Sequence, residues 1–275
     1  MKKDEIKKLI EQGVRELNEA LAMGDSEQLK QFMAVMARFP RYSFNNCLLI
    51  AMQKPDAQMV QGFHAWKKIG RWVTKGEKGI GIVAPMVYRN KEEESSEDGE
   101  ERALRGFKVV HVYDVSQTEG KEMPEFASVT GDAGHYIEAV ERVIQAKGIE
   151  LVYEELDSGA DGVSCKGKII IDPKVEGAER FAVLTHELAH ELLHTDKSKR
   201  LQTTKTIRET EAEAVAHVVC RAVGLDSTTH SADYIRLYSG DMDVLAGSLD
   251  GIQKAAAQIL EALESAQVAD AEAAA

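Results

Sequence analysis

His186-Glu187-Leu188-Ala189-His190 is the stretch of this 275-residue chain whose residue types and spacing specify chemistry. On a helix, two histidines at i and i+4 share one face, so both imidazoles can approach a single cation at about 2.0–2.1 Å. Glu187 stands beside them and can take a proton from a water in an open coordination position. HExxH alone arises by chance in roughly a few per cent of chains of such composition, so its context matters. Here the pattern lies inside an amphipathic segment whose core positions are Phe181, Leu184, Leu188 and Leu192.

Two histidines do not complete a hydrolytic site, and the spacing offers no metzincin-type third histidine, because Asp196 stands at that position. His194 is a further turn along the same helix, which assigns it to a supporting or surface role. The next helical segment, Glu209-Thr-Glu-Ala-Glu-Ala-Val-Ala-His217, offers three carboxylates. Its apolar residues Ala212, Val215, Val219 and Ala222 define a buried side, and Glu211 falls on the flank of that arc. A core-facing carboxylate is costly unless it meets a cation, which favours Glu211 as third ligand, with Glu209 and Glu213 as alternatives. A His₂Glu set with one open position is the catalytic arrangement of zinc, with another divalent metal such as Mn²⁺ as the alternative. The reaction class that follows is peptide-bond hydrolysis, with Glu187 moving the proton to the leaving amine. A donor to the developing oxyanion is also needed; Tyr234, Tyr238 and His217 are the candidates, and spacing does not choose among them.

The elements that must position these groups follow from periodicity. An amphipathic helix over 4–23 carries Ile6, Leu9, Ile10, Val14, Leu17 and Leu21; a second, capped by Asp25 or Ser26, runs to Arg38; a third spans Phe44–Gln53. A short helix over Phe63–Ile69 precedes strands at Arg71–Val73, Ile80–Val87 and Phe107–Tyr113. Between the last two, Lys91–Glu101 holds seven acids and cannot bury enough apolar surface to order itself, so a mobile acidic loop is expected. The second half predicts helix 132–147, strands Ile149–Glu154 and Lys168–Ile171, and helices 178–194, 209–223 and 251–263, with 266–275 a frayed tail. The fold class is α+β in two domains, about 1–125 and 126–265.

Charge divides along the same line. Residues 1–90 carry a net +6 and the remaining 185 a net −18, within a total of −12. A basic module joined to an acidic one suits a protein that holds a polyanion with one half. Single-strand binding needs cationic groups for phosphates and aromatic faces for bases. Arg38, Arg41, Lys67, Lys68, Arg71, Lys75 and Lys78 supply charge, and Tyr42 and Trp72 border them as stacking candidates. Phe63 and Trp66 fit core packing better. Asn46 could bond a base edge or cap a neighbouring loop. No apolar run exceeds six residues, which excludes a membrane-spanning helix. The N-terminus shows no signal-peptide core, and three widely spaced cysteines make no disulfide framework, so a reducing cytoplasm is expected.

With these motifs in hand, the chain resembles the ArdC-type antirestriction proteins of plasmids and phages. The resemblance rests on Tyr42-Ser-Phe-Asn-Asn-Cys-Leu-Leu-Ile50, Phe63-His-Ala-Trp-Lys-Lys-Ile-Gly-Arg71, Lys75-Gly-Glu-Lys-Gly-Ile80 and Tyr113-Asp-Val-Ser-Gln-Thr-Glu-Gly120. In the second half it rests on Thr185–His190 and Glu211-Ala-Glu-Ala-Val-Ala216. It implies an N-terminal single-stranded-DNA-binding domain with β-hairpin and helices, and a C-terminal zincin-like metallopeptidase domain similar to ImmA/IrrE peptidases. It also implies Glu211 as third ligand; charge and aromatic placement give the expected DNA contacts, Arg41, Tyr42, Asn46, Lys67, Lys68, Arg71, Trp72, Lys75 and Lys78. The alternatives are a DNA-coating protein with a non-catalytic metal site, and a regulatory peptidase that cleaves a repressor and has no DNA role.

Overall fold

The structure is a computed structural model that describes residues 2–89, 102–122, 133–157, 159–195, 203–225, 237 and 241–273. The acidic segment 91–101 lies outside them. In chain order the helices are α1 (Lys3–Ala22), α2 (Glu27–Arg38), α3 (Phe44–Gln53), α4 (Phe63–Lys68), α5 (Ala133–Ala146), α6 (Gly177–Leu193), α7 (Lys205–Ala222) and α8 (Met242–Ala273). The strands are β1 (Val60–Gly62), β2 (Arg71–Val73), β3 (Ile80–Arg89), β4 (Arg102–Asp114), β5 (Thr118–Gly120), β6 (Glu150–Tyr153), β7 (Gly162–Ser164) and β8 (Lys168–Ile171). Among the described residues, no helix is long and apolar enough to cross a membrane.

Packing divides the chain into two compact units, residues 1–13 with 45–123 and residues 14–44 with 124–275. The segment 14–44, expected within a 1–125 domain, therefore packs with the second half. Its helix α2 buries Leu29, Phe32, Met33 and Met36 and packs against α7, a pairing that an apolar stripe cannot announce from sequence. Asp25 rather than Ser26 caps α2, its carboxylate accepting from the Glu27 N–H at 2.8 Å.

In the first unit the antiparallel sheet has the order β1-β4-β3, with Ile80 opposite Val112 and Ile82 opposite Val110. The outer edge of β3 is closed by amide side chains of α3. Asn46 exchanges two hydrogen bonds with the Val83 backbone, and Gln53 two with Gly81, all at 2.9 Å. Each side-chain amide thus imitates a neighbouring strand, satisfying the backbone groups an edge leaves open. Asp114 ties the end of β4 to the start of β1. Its carboxylate accepts from the backbone N–H groups of Gln58, Met59 and Ser116 and from the Ser116 hydroxyl. Gln117 accepts from the Asp114 N–H and donates to Glu77 and to the Lys78 carbonyl, fixing the turn before β3.

In the second unit β6 and β8 are parallel and β7 pairs with β8 antiparallel, in the order β6-β8-β7. Phe181, Leu184 and Leu188 of α6 share a core with Val215 and Val219 of α7, Ile252 and Ile259 of α8, and Ile169 and Ile171 of β8. Helix α7 starts one turn before the expected Glu209, because the Thr204 hydroxyl caps it by accepting from the Ile207 N–H. Helix α8 is far longer than the expected 251–263, and the tail read as frayed is helical to Ala273, in keeping with alanine's helix propensity.

Candidate metal centre

Helices α6 and α7 pack along each other, and their facing sides bring His186, His190 and Glu209 together. The two histidine Nε2 atoms are 3.1 Å apart, and Glu209 Oε2 lies 3.6 Å from His186 Nε2 and 3.3 Å from His190 Nε2. A tetrahedral cation with bonds of about 2.0–2.1 Å has ligand–ligand edges of roughly 3.3–3.4 Å. The triangle therefore matches one face of such a shell, and among the described residues no fourth histidine, cysteine or carboxylate joins it. Donor chemistry agrees: two imidazoles and one carboxylate suit a divalent metal.

Two cavities meet at this triangle. One of about 250 Å³ is walled by Gly162, Val183 and Ala216 and reaches His186 and Glu187. The other, about 810 Å³, runs past Ser164, Lys205 and Arg208 to His190 and Glu209. Glu187 lines both. Strand β7 lies hard against it: a Cβ on Gly162 would sit 2.7 Å from Val183 Cγ1 and 3.0 Å from Glu187 Cγ, so only glycine permits this approach. Glu191, one turn beyond Glu187, is buried and accepts from the Ser164 hydroxyl at 2.6 Å and the Gly167 N–H at 2.8 Å. It pins the β7–β8 turn to α6. Sequence reasoning passed over Glu191, although an acid on the core flank of an amphipathic helix was the available signal.

The charges divide unequally within the triangle. Burial alone would lower the His186 pKa, but the Glu209 and Glu213 carboxylates outweigh it and raise the group to about 9. Burial and the neighbouring His186 charge push His190 down to about 4. The hydrogen-bonded His186 holds Glu209 down at about 2. Burial lifts Glu187 to about 7. Without a cation, the Glu209 and Glu213 carboxylates thus favour the protonated form of His186 at neutral pH.

Glu211 faces the core as expected, but its partner there is a histidine. Glu211 is buried, and its Oε2 meets His194 Nε2 at 2.9 Å, so a histidine rather than a cation compensates the carboxylate. Glu209 and Glu213, one turn apart, face the histidine pair, with Glu213 Oε2 3.4 Å from His186 Nδ1. His194, expected at the surface or in support, is buried. His217 lines the smaller cavity, whereas Tyr234 and Tyr238 lie outside the described residues.

The residues proposed for DNA do not form one set. Lys67, Lys68, Lys75 and Lys78 are exposed in the first unit, as is Trp72, whose ring rests on Gly120 so closely that a Cβ there would lie 2.8 Å from it. Arg71 is in the same unit, but its guanidinium is spent on the Thr118 hydroxyl and carbonyl and the Lys121 carbonyl. Asn46 is committed to the β3 edge. Arg41 and Tyr42 belong to the second unit, where Arg41 pairs with Glu264 at 2.6 Å and Tyr42 sits edge-on to Phe39. Trp66 is core, its indole N–H donating to the Tyr113 carbonyl at 2.8 Å, while Phe63 is half exposed.

Comparison with known proteins bears on both halves. Residues 3–115 match the family described as the N-terminal domain of anti-restriction factor ArdC. The crystal structure of antirestriction protein ArdC from plasmid R388, metal-free, superposes with TM-score 0.55 at 19% identity, covering 94% of this chain and 98% of that one. Its Mn(II)-bound structure gives 0.53 at 17%, over 93% and 98%. An uncharacterized protein of Bacillus anthracis is 24% identical over 253 residues, and the match spans 76% of this chain but only 42% of that relative.

Proposed function

We propose, from the premise that the chain is of ArdC type, that it binds single-stranded DNA with its N-terminal half and hydrolyses a protein substrate at a divalent-metal centre in its C-terminal half, in the service of antirestriction. Functional domains near 1–125 and 126–265 and a cytoplasmic setting go with this reading. The observation that carries it is the triangle of His186, His190 and Glu209, whose edges fit a tetrahedral cation beside a carboxylate that is not one of its members. In this reading Glu209 replaces Glu211 as third ligand. Zinc fits the donor set, and the Mn(II)-bound relative makes manganese the competing occupant.

A cation held there supplies Lewis acidity at the open corner, which polarises a substrate carbonyl and acidifies a water. The chain's own residues do the rest. Glu187, buried between the two cavities and raised to about 7, takes a proton from the attacking water and returns it to the leaving nitrogen. Strand β7, held by Glu191, keeps that carboxylate in place. Tyr234, with Tyr238 and His217, stays a candidate donor to the oxyanion.

The test compares the unsubstituted chain with Glu187→Gln on a defined peptide mixture after loading with Zn²⁺ or Mn²⁺. Cleavage is expected to fall at least ~100-fold in E187Q while metal affinity stays within about threefold. Antirestriction by E187Q equal to that of the unsubstituted chain would remove hydrolysis from the mechanism and leave a DNA-coating role.

A further inference from the structure

Glu211 and His194 extend the site from the ring nitrogen of His190 that does not face Glu209. The His190 ring reaches both: its Nε2 faces His186 and Glu209, and its Nδ1 lies 3.0 Å from His194 Nδ1. The opposite nitrogen of His194, Nε2, lies 2.9 Å from Glu211 Oε2. His194 and Glu211 are each only 8% exposed, so each meets most of its hydrogen-bonding capacity within the protein.

A His190 whose Nε2 lone pair meets a cation carries its hydrogen on Nδ1, and the atom placed to accept that hydrogen is His194 Nδ1 at 3.0 Å. His194 then bears its own hydrogen on Nε2, where Glu211 Oε2 accepts it at 2.9 Å. We infer that Glu211 and His194 form a buried relay that sets which ring nitrogen of His190 carries its hydrogen, and so turn the Nε2 lone pair toward the cation. His186 is held more directly, with Glu213 Oε2 at its Nδ1. The alternating glutamates of α7 thereby divide the work: Glu209 meets the cation, while Glu213 and Glu211 orient the two histidines, the latter at one remove. Glu211 and His194 are positioning residues that touch neither metal nor substrate.

This inference rests on the reading of His186, His190 and Glu209 as a metal site, and its test separates the two. In full-length, metal-free protein with ¹⁵N-labelled histidine, two-bond ¹H–¹⁵N correlations should show His190 bearing its hydrogen on Nδ1 and His194 on Nε2. A hydrogen on Nε2 of neutral His190, or on both nitrogens of His194, overturns the relay. Zn²⁺ affinity, measured by competition with a chromophoric chelator, should fall ~10–100-fold in His194→Leu. His194→Gln should stay within about threefold of the unsubstituted chain, because its amide oxygen can accept from His190 and its N–H can donate to Glu211. Unchanged affinity in a folded H194L overturns the proposal, as does a loss in H194Q equal to that in H194L. Should H194L fail to fold, H194Q and the tautomer spectrum still decide. An unsubstituted chain that binds neither Zn²⁺ nor Mn²⁺ defeats the metal reading alone, and the spectrum still judges the relay.

Discussion

At the scale of single residues, the centre is organised around where protons sit before a metal arrives. His186 is protonated up to about pH 9, while His190 and Glu209 have already lost theirs at neutral pH. A cation must therefore displace the His186 proton. Because that pKa is raised, competition is present below about pH 9 and disappears above it. Apparent affinity for Zn²⁺ is expected to rise about tenfold per pH unit between 7 and 8.5, with about one proton released per ion. Isothermal titration in buffers of different ionisation enthalpy reads that number, and a pH-independent affinity would place the ion elsewhere. That His186, Glu187 and His190 share one stretch of a helix could be read from sequence because an i, i+4 pair is a local geometric fact. Which α7 carboxylate faces them could not, because the cost of burying Glu211 is local but the identity of its partner is not; His194 sits 17 residues away at the end of α6.

At the scale of elements, Asn46 and Asp114, each from a block that carries the family resemblance, hold the first unit together. Asn46→Leu should leave the Val83 N–H and carbonyl without partners at the β3 edge and cost about 2–3 kcal/mol in urea unfolding. If Asn46 served mainly to read a base, the variant would unfold normally and lose DNA binding instead. Asp114 has the opposite dependence on pH to His186. Burial works against its ionised form, yet the Ser116, Met59 and Gln58 donors hold its carboxyl below the usual 3.8. Its contribution is present above the unfolded value and is lost as pH falls through the lowered folded one. Asp114→Ala is thus expected to destabilise the chain by about 2–3 kcal/mol at pH 7 and by progressively less below pH 4, seen as converging melting curves. Periodicity found α3 and both long hairpin strands, because those patterns are written within each segment. It missed β1, β5 and β7, which are three residues each and too short to show an alternation; β2, equally short, was expected because turn residues 75–79 follow it.

At the scale of the whole molecule, the uneven charge is the feature sequence showed best and local contacts refine most. Of the basic residues proposed for DNA, Arg71 and Arg41 have carbonyl or carboxylate partners, whereas Lys67, Lys68, Lys75 and Lys78 are exposed in the half with net positive charge. Composition counts all six cations alike; only the fold separates those already engaged. If the four lysines meet phosphates, each neutralised contact contributes about 0.7 to the slope of log affinity against log salt for a single strand. Changing all four to Gln in the full-length chain should therefore flatten the slope by up to about 3 and weaken binding at low salt far more than at high salt. Trp72→Ala should act differently, costing about 1–3 kcal/mol at every salt concentration, because a base stacked on an indole releases no counterions. Measured on one oligonucleotide by fluorescence anisotropy, the two variants separate charge from stacking. Unchanged affinity and slope in the four-lysine variant would mean that the exposed lysines only solvate the surface and that the basic half recognises something other than a phosphate backbone.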